Sequence, residues 1–282
     1  MTLSDFNNLN QEAAAAHLFA CCGSDTWAAM MMQHFPFESE AQMVDLSTKI
    51  WYDECVESDW LESFTHHPKI GDVKSLTEKF AGKEQAGVAV ATAETIEALS
   101  KANTEYENKF GFIFIVCATG KSADEMLQLL LERLKNTAVE ERNIAMGEQQ
   151  KITIIRFRKL LDESNFQFLK VSQITTHVLD TAVGLPGTAI SIKLQSKQNG
   201  IWHTLAQGIT NADGRIPDLL PEQRNLKADT YKMVFDTGNY YSKANIKTFY
   251  PEVEIIFNTF DAMHYHVPLL VNPFGYSTYR GS

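Results

Sequence analysis

The sequence is poor in cysteine and lacks any long apolar run. Four cysteines occur in 282 residues, all in the first half, at Cys21, Cys22, Cys55 and Cys117. This number and spacing do not form a disulfide framework, and a reducing compartment is the simplest setting for them. No apolar stretch approaches the ~20 residues that a membrane-spanning helix needs. We therefore expect a soluble, cytoplasmic protein.

Signals for targeting and for charged macromolecular partners are also missing. The first ten residues are polar and do not form a signal peptide, and the chain does not end in Ser-Lys-Leu. The net charge of −10 argues against nucleic acid and anionic membranes as partners. A small anionic substrate stays compatible, because local arginines can override the global sign. We find no internal repeat and no metal, flavin or pyridoxal motif, so no cofactor and no metal are expected.

The first 165 residues carry the periodicity of helices. Three stretches fit a capping box, in which side chains bond the free amides at a helix start: Ser75-x-x-Glu78, Ser122-x-x-Glu125 and Thr137-x-x-Glu140. A helix is also expected to begin at Ser39. Apolar spacing predicts further helices over 92–110, 122–135 and 139–161, with Gly111 as a stop. The short apolar run Phe112–Cys117 is compatible with either a strand or a buried helical turn.

From Ile174 onward the period changes to two. Ile190, Ile192 and Leu194 alternate with polar residues, and strands are expected at 174–180, 231–236 and 253–257. Turn dipeptides lie at Asn199-Gly200 and Asp213-Gly214. Short strands at this spacing predict a sandwich of two antiparallel sheets. The fold class is therefore multidomain, with an all-α domain at 1–165 followed by an all-β domain at 166–282.

The stretch Thr65–Asp72 carries the most chemistry in the helical half. Pro68 restricts His67 to extended conformations, and Gly71 allows a sharp bend, so the imidazole is expected on a held loop. On these grounds alone, a surface His-His pair at a helix end is equally compatible. Further on, the Glu84-Gln85 pair places a carboxylate beside an amide, which by itself is a common combination.

Four motifs in order give this half a family resemblance. From about Asp5 to Leu161 the sequence resembles the OHCU (2-oxo-4-hydroxy-4-carboxy-5-ureidoimidazoline) decarboxylases. The motifs that carry the resemblance are His67–Leu76, Glu84–Gly87, Phe112–Ser122 and Glu148–Thr153. The resemblance implies that His67 is the acid–base residue. It also implies a substrate-binding set consisting of Pro68, Glu84, Gln85, Phe114, Ile115, Val116, Cys117, Ala118 and Arg156. Arg158 is the alternative to Arg156, and Ala81 stands where the family often has a serine.

Three histidines and an arginine are the candidates in the β half. His177 follows two threonines, Arg215 follows the Asp213-Gly214 turn, and His264 and His266 share one face of a strand. Each has an ordinary explanation, as a half-exposed strand residue, a solvated hairpin arginine or a satisfied histidine. The aromatic C-terminal stretch is unusual, because terminal residues are mostly polar and have few partners.

These residues also fall within motifs that occur in order over about Ser172 to Ser282. This part of the sequence resembles the 5-hydroxyisourate hydrolases, which are transthyretin-like. The motifs that carry the resemblance are His177–Asp180, Gly184–Gly187, Asn211–Arg215, His266–Leu270 and Tyr279–Ser282. The resemblance implies that His177, Arg215 and His266 are catalytic and that Tyr279 and Ser282 bind substrate. It implies a structural role for His264. It further implies a homotetramer built through the β domain, with dimer contacts possible through the helical domain.

Together the resemblances imply a bifunctional enzyme of urate degradation. The β domain would hydrolyse 5-hydroxyisourate, and the helical domain would decarboxylate the product to (S)-allantoin. The small-molecule substrates are then the partners. Two alternatives stay open: a transthyretin-like carrier, and a metallohydrolase built on His66-His67 or on His264-x-His266.

Overall fold

The computed structural model describes residues 1–67, 93–162, 166 and 172–281. The chain divides into two compact units, Met1–Leu169 and Lys170–Ser282. The predicted boundary between residues 165 and 166 stays a prediction. The capping box predicted at Ser75-x-x-Glu78 lies outside the described residues. No helix in the described parts of the chain is long and apolar enough to cross a membrane.

The first unit is helical, as predicted. Its described helices are α1 (Leu3–Asn7), α2 (Gln11–Cys22), α3 (Asp25–Met32), α4 (Glu40–Lys49), α5 (Glu57–Thr65), α6 (Ala93–Phe110), α7 (Ala123–Arg133) and α8 (Ala138–Leu160). A π-helical turn, Ile50–Glu54, continues α4. The core of this unit is aromatic and includes the fully buried side chains Phe6, Trp27, Trp51, Phe64 and Phe157.

The predicted helix boundaries agree with the observed ones to within two residues where the structure describes them. Ser39 accepts a hydrogen bond from the backbone of Gln42 at the start of α4. The capping boxes of Ser122 and Thr137 are both formed, at the starts of α7 and α8. Side-chain caps of this kind satisfy backbone amides that have no partner inside the helix. Gly111 ends α6 with a φ of 79°, a conformation that glycine adopts without steric cost.

The run Phe112–Cys117 is neither a strand nor a helical turn, so both interpretations of it were wrong. Two of its backbone groups are bonded by buried side chains instead of by a sheet or a helix. Arg133 Nη1 donates to the Ile115 carbonyl at 2.7 Å, and the Cys117 amide donates to Glu148 Oε2 at 2.6 Å. Buried backbone groups need such partners, and here charged side chains provide them.

A buried ion pair joins α7 to α8 next to this run. Arg133 and Glu141 are at most 1% exposed, and Arg133 Nε lies 2.7 Å from Glu141 Oε1. Tyr106 also donates to Glu141, and Asn136 Nδ2 donates to its other oxygen at 2.8 Å. The carboxylate therefore has a partner for each oxygen, which a buried charge requires.

The second unit contains two four-stranded sheets. Its strands are β1 (Ile174–Thr175), β2 (Val178–Asp180), β3 (Leu185–Pro186), β4 (Ser191–Gln198), β5 (Ile201–Ile209), β6 (Thr230–Phe235), β7 (Val253–Asn258), β8 (Tyr265–His266), β9 (Leu269–Asn272) and β10 (Gly275–Thr278). One sheet has the order β5-β4-β6-β7 and the other β10-β9-β2-β3. A short parallel pair, β1-β8, lies beside them.

The predicted alternation holds, and the predicted sheet type needs correction. Ile190, Ile192 and Leu194 are completely buried, and Asn199-Gly200 forms the β4–β5 turn with two positive φ angles. The sheet β5-β4-β6-β7 is antiparallel, as predicted. The other is mixed, because β2 and β9 run parallel. The unit also contains a helix, α9 (Thr237–Lys243), which the all-β prediction missed.

Breaking the Arg133–Glu141 pair should destabilise the helical unit strongly. Arg133→Met leaves a buried carboxylate without its cation, a change that commonly costs about 3–5 kcal/mol. Lys135→Met is the control, since Lys135 pairs with Glu132 on the surface and such pairs contribute about 0–1 kcal/mol. Urea unfolding followed by far-ultraviolet circular dichroism measures both changes. Equal midpoints for the two variants would contradict the prediction.

Candidate active sites

His67 lies just after α5 and against α8. Its imidazole is half-buried, and its Nε2 lies 2.5 Å from Oε1 of Gln149. Burial lowers the pKa of His67, and the positive charge of Arg156 acts in the same direction, while the bond to Gln149 opposes them. The imidazole is therefore neutral at pH 7 and available to accept a proton.

The neighbouring His66 has a different setting. It closes α5, its side chain is exposed, and its ring meets that of Phe19 edge-on at 4.9 Å. Gly23 at the end of α2 allows this approach, because a Cβ there would stand 2.9 Å from the His66 Cβ. The two adjacent histidines thus point to different partners, which does not match a chelating pair.

One face of α8 carries the polar groups around His67. Gln149, Thr153 and Arg156 are spaced at i, i+4 and i+7, so they lie on the same side of the helix. Arg156 Nη1 donates to the Cys21 carbonyl at 3.0 Å, at the end of α2. Arg158 lies two positions further along the helix and points to another side. Of the two predicted alternatives, Arg156 is the arginine whose charge acts on His67.

The predicted pocket segment Phe114–Ala118 is buried except for the half-buried Ala118. Its polar backbone is held by Arg133 at Ile115 and by Glu148 at Cys117. Lys121 also donates to the Cys117 carbonyl at 3.0 Å. Three further predicted substrate ligands, Pro68, Glu84 and Gln85, lie outside the described residues, as do Ala81 and Ser282.

In the β unit, the backbone brings His177 and Arg215 together. The two residues form an antiparallel bridge, and the Val178 amide donates to the Gly214 carbonyl at 2.8 Å. The turn at Asp213-Gly214 makes this possible, since Gly214 has a φ of 69°. His177 alternates along the chain with Thr175 and Leu179, and these three are half-buried while their neighbours are buried.

His266 reaches the same cluster from β8, which pairs with β1. Thr175 Oγ1 lies 2.9 Å from His266 Nδ1 and 2.8 Å from His264 Nε2. The two imidazoles stack, with ring centroids 6.4 Å apart, so the predicted common face is confirmed. A hydroxyl can donate to one ring and accept from the other. Thr175 therefore holds both histidines.

The charge of Arg215 acts on both histidines of the cluster. Burial lowers the pKa of His177, and Arg215 lowers it further. Burial also lowers the pKa of His266, followed by Arg215, His264 and His177. The cluster thus combines two neutral imidazoles with one exposed guanidinium at pH 7, a combination suited to moving protons beside an anionic substrate.

The last residues of the chain pass directly over His266. Gly281 bridges it through the backbone, donating its amide to the His266 carbonyl at 3.0 Å. A Cβ at Gly281 would stand 2.4 Å from His266 Cδ2, so the close approach requires glycine. Tyr279 is 59% exposed. The guanidinium of Arg280 lies over the ring of the buried Tyr265, 5.3 Å from its centroid.

Two of these residues were not predicted from the sequence as parts of a site. Gln149 falls inside the quoted motif Glu148–Thr153, but nothing in its type distinguishes it from the adjacent Gln150. Thr175 was placed only as a strand residue. A signal for Thr175 does exist, because it is two residues from His177 and on the same face. Among the described residues, no three His, Cys, Asp or Glu side chains form a metal-binding group.

Comparison with known proteins agrees with this division of the chain. The family model "OHCU decarboxylase" matches residues 7–158, and the model "HIUase/Transthyretin family" matches residues 174–281. The first unit is therefore of the decarboxylase class and the second of the transthyretin class.

Similar proteins include one that covers 93% of the chain, across both units. "Uric acid degradation bifunctional protein TTL" of Arabidopsis thaliana is 32% identical over 93% of this chain and 96% of its own. The "5-hydroxyisourate hydrolase" of Mus musculus is 44% identical over 39% of this chain and 96% of its own. A crystal structure of "(S)-allantoin synthase" aligns over 100% of both chains, with 23% identity and a TM-score of 0.47. The chain belongs to the family of that bifunctional protein, with an OHCU decarboxylase region followed by an HIUase/transthyretin region.

The shared electrostatics of the β cluster can be tested directly. Arg215→Met removes a positive charge that disfavours imidazolium, so the pKa values of both His177 and His266 should rise. Histidine proton resonances followed by NMR across pH 5 to 9 report each value. Arg280→Met is the control, because Arg280 lies over Tyr265 and does not contribute to either shift. Unchanged histidine pKa values in Arg215→Met would refute the shared cluster.

Proposed function

We propose that this protein is a bifunctional enzyme of urate degradation. Its C-terminal domain, residues 166–282, hydrolyses 5-hydroxyisourate to OHCU. Its N-terminal domain, residues 1–165, decarboxylates OHCU to (S)-allantoin. The observation that carries the proposal is the grouping of His177, Arg215 and His266, which come from three separate segments. A cytoplasmic location and a reaction without cofactors, both predicted from the sequence, belong to the same proposal.

Ring opening needs a water activated for attack and a proton returned to the leaving nitrogen. Water adds to a ring carbonyl of 5-hydroxyisourate, the ring C–N bond breaks, and the nitrogen takes up a proton. His177 and His266 are neutral at pH 7, so one can accept the proton from water while the other relays it. Arg215 offers a planar cation to the anionic substrate and to the negative charge that develops on the carbonyl oxygen.

Decarboxylation needs a proton moved and a ring held in place. The bond to the carboxylate breaks, carbon dioxide leaves, and the electron pair stays on the ring until a proton is delivered. His67 moves that proton, because its neutral imidazole can first accept one. Arg156 offers a positive charge beside His67, and the segment Phe114–Ala118 offers backbone groups that are already fixed by buried side chains.

The remaining ligands of both pockets are proposed on the family resemblance. In the helical domain these are Pro68, Glu84 and Gln85, whose amide and carboxylate groups would hold the ureido group of OHCU. In the β domain they are Tyr279 and Ser282. Tyr279 is exposed in the single chain, which is compatible with a pocket that a neighbouring subunit completes. Ala81 stands where the family often has a serine, so the substrate hydrogen bond that this serine makes would need another donor here.

A homotetramer through the β domain is part of the proposal. The strands β7 and β10 each lie at an edge of their sheets. Their outward side chains include Ile256, 59% exposed, and Tyr276, 43% exposed. Unpaired edges with apolar residues favour association with another chain. Additional dimer contacts could be made by the helical domain.

Each reaction should be removable without the other. His266→Ala should slow the ultraviolet decay of fresh 5-hydroxyisourate by about 10²-fold or more, since a positioned acid or base contributes about 10²–10⁴. His67→Ala should leave that decay intact and yield racemic allantoin, because the product then forms by the uncatalysed route. Ultraviolet absorbance and circular dichroism follow the two steps. A carrier would bind the substrate without converting it, so neither substitution would change a rate. Wild-type rates in both variants would therefore contradict the proposal.

The contact between Gly281 and His266 gives a second test. Gly281→Ala places a methyl group 2.4 Å from His266 Cδ2, so the ring or the chain end must move. Ring opening should fall at least about tenfold, because small displacements of a catalytic group are costly, while decarboxylation of supplied OHCU continues. Gly275→Ala is the matched control, since its Cβ would meet only Asn272 at 3.6 Å. Equal hydrolysis by the two variants would be the opposing result.

A further inference from the structure

Gln149 contacts His67 but has no role in the proposed decarboxylation mechanism. Its side chain is completely buried on α8, and its Oε1 is the partner of His67 Nε2. A buried amide has four hydrogen-bonding positions and only one orientation that suits a given set of partners. The partners on its other side therefore decide what the oxygen offers to the histidine.

The orientation of the Gln149 amide follows from its two other neighbours. Its Nε2 lies 3.0 Å from the Cys22 carbonyl oxygen and 3.3 Å from Thr153 Oγ1. The carbonyl can only accept. The Thr153 hydroxyl gives its own proton to the backbone carbonyl of Gln149 at 3.1 Å, so toward the amide it accepts as well. Reversing the amide would set its oxygen against the Cys22 oxygen, so the nitrogen stays on that side.

The proton of His67 is thereby located. The oxygen of an amide accepts hydrogen bonds and does not donate them, so His67 Nε2 must carry a hydrogen. A neutral imidazole has one N–H, and the other ring nitrogen then keeps its lone pair. In His67 that other nitrogen is Nδ1.

We infer that Gln149 is a positioning residue for decarboxylation, which holds neutral His67 as the Nε2–H tautomer so that Nδ1 exchanges the proton with the substrate. The inference rests on the proposed function of the helical domain for the identity of the reaction. The tautomer itself does not depend on that function, since it follows from the hydrogen bonds alone.

Other titratable groups near His67 do not supply a competing acceptor among the described residues. Arg156 on α8 and the adjacent His66 both act on the ring by disfavouring its positive charge. At the end of α2, burial raises the pKa of the Cys21 thiol to about 12 and raises that of Cys22, so both thiols stay protonated. Gln149 is the group that favours imidazolium, by accepting from Nε2.

The tautomer can be observed in the unmodified full-length chain. Protein labelled with ¹⁵N in its histidine rings gives long-range proton–nitrogen correlations that identify which ring nitrogen is protonated. His67→Ala assigns the signal by removing it from the spectrum. At pH 8 we expect the proton on Nε2. A proton on Nδ1 overturns the inference, whatever the activity of the enzyme.

Two substitutions should move the pH profile of decarboxylation in opposite directions. Gln149→Met keeps the volume but removes the acceptor, so the acid limb should shift to lower pH and kcat should fall at least about tenfold. The Cys22 carbonyl keeps its bond from Ser63 in that variant. Gln149→Glu adds a negative charge beside the ring, so the limb should shift to higher pH. In both variants KM should stay within about twofold, because the residue acts through His67 and not on the substrate.

Gln150→Met is the matched control for general damage to α8. Gln150 is also completely buried, and its amide donates to Ser47 and Thr48 rather than to His67. Its variant should lose stability and leave the acid limb where it is. Shifts in the same direction for Gln149→Met and Gln149→Glu, or an unchanged profile in the first, would overturn the inference. If His67→Ala kept full decarboxylation, the proposed function would fail instead, and the tautomer measurement would still decide the hydrogen-bond argument.

Discussion

The helical unit depends on the pairing of the polar groups that α8 buries. Five polar side chains of this helix are at most 7% exposed, although the helix packs against aromatic and aliphatic neighbours. They are Glu141, Glu148, Gln149, Gln150 and Thr153. Each such group costs free energy unless it finds a partner. Their partners include Cys22 at the end of α2, Ser47 on α4, Arg133 on α7 and the backbone amide of Cys117. The buried polar groups of α8 thereby fix both the packing of these elements and the backbone of the proposed pocket at Cys117.

This constraint explains why the run Phe112–Cys117 needs no regular structure. An apolar segment inside a protein normally satisfies its backbone in a helix or a sheet. Here a guanidinium and a carboxylate take that part, each on a rigid helix and each itself paired. The arrangement holds the Ile115 carbonyl and the Cys117 amide in fixed positions inside the core. The position of this part of the proposed pocket is therefore set by side chains of α7 and α8 and not by a sheet.

Much of the fold could be predicted from local patterns. The capping boxes at Ser122 and Thr137, the stop at Gly111 and the burial of Ile190, Ile192 and Leu194 depend on neighbours within a few residues, so the sequence contains the needed information. The parallel pairing of β2 with β9 joins Val178 to Leu269, and no local pattern specifies a contact of that separation. Helix α9 was missed because Thr237–Lys243 is only seven residues long, and a helix of that length depends on its tertiary contacts.

The site residues also divide into those that could be predicted from the sequence and those that could not. His67, His177, Arg215 and His266 could be named because motifs preserve residue types in order, and these types carry proton chemistry. The residues that hold them were not named, since Gln149 and Thr175 are of ordinary type and their contacts with His67 and His266 depend on the fold. Gln149 is 82 positions from His67, and Thr175 is 91 from His266. A sequence pattern offers no reason to connect such pairs until the chain is folded.

The histidines of the two clusters have the same protonation state, but side chains of different kinds hold them in place. In both, burial and a nearby arginine favour neutral imidazoles, so proton acceptors are available at pH 7. The support of His67 is an amide, which is fixed on both sides and permits a single proton arrangement. The support of His266 is the Thr175 hydroxyl, which can donate to His266 and accept from His264, or the reverse. A fixed tautomer suits a step in which one group handles one proton. A hydroxyl that can reverse its direction suits hydrolysis, in which a proton taken from water must later be given to the leaving nitrogen.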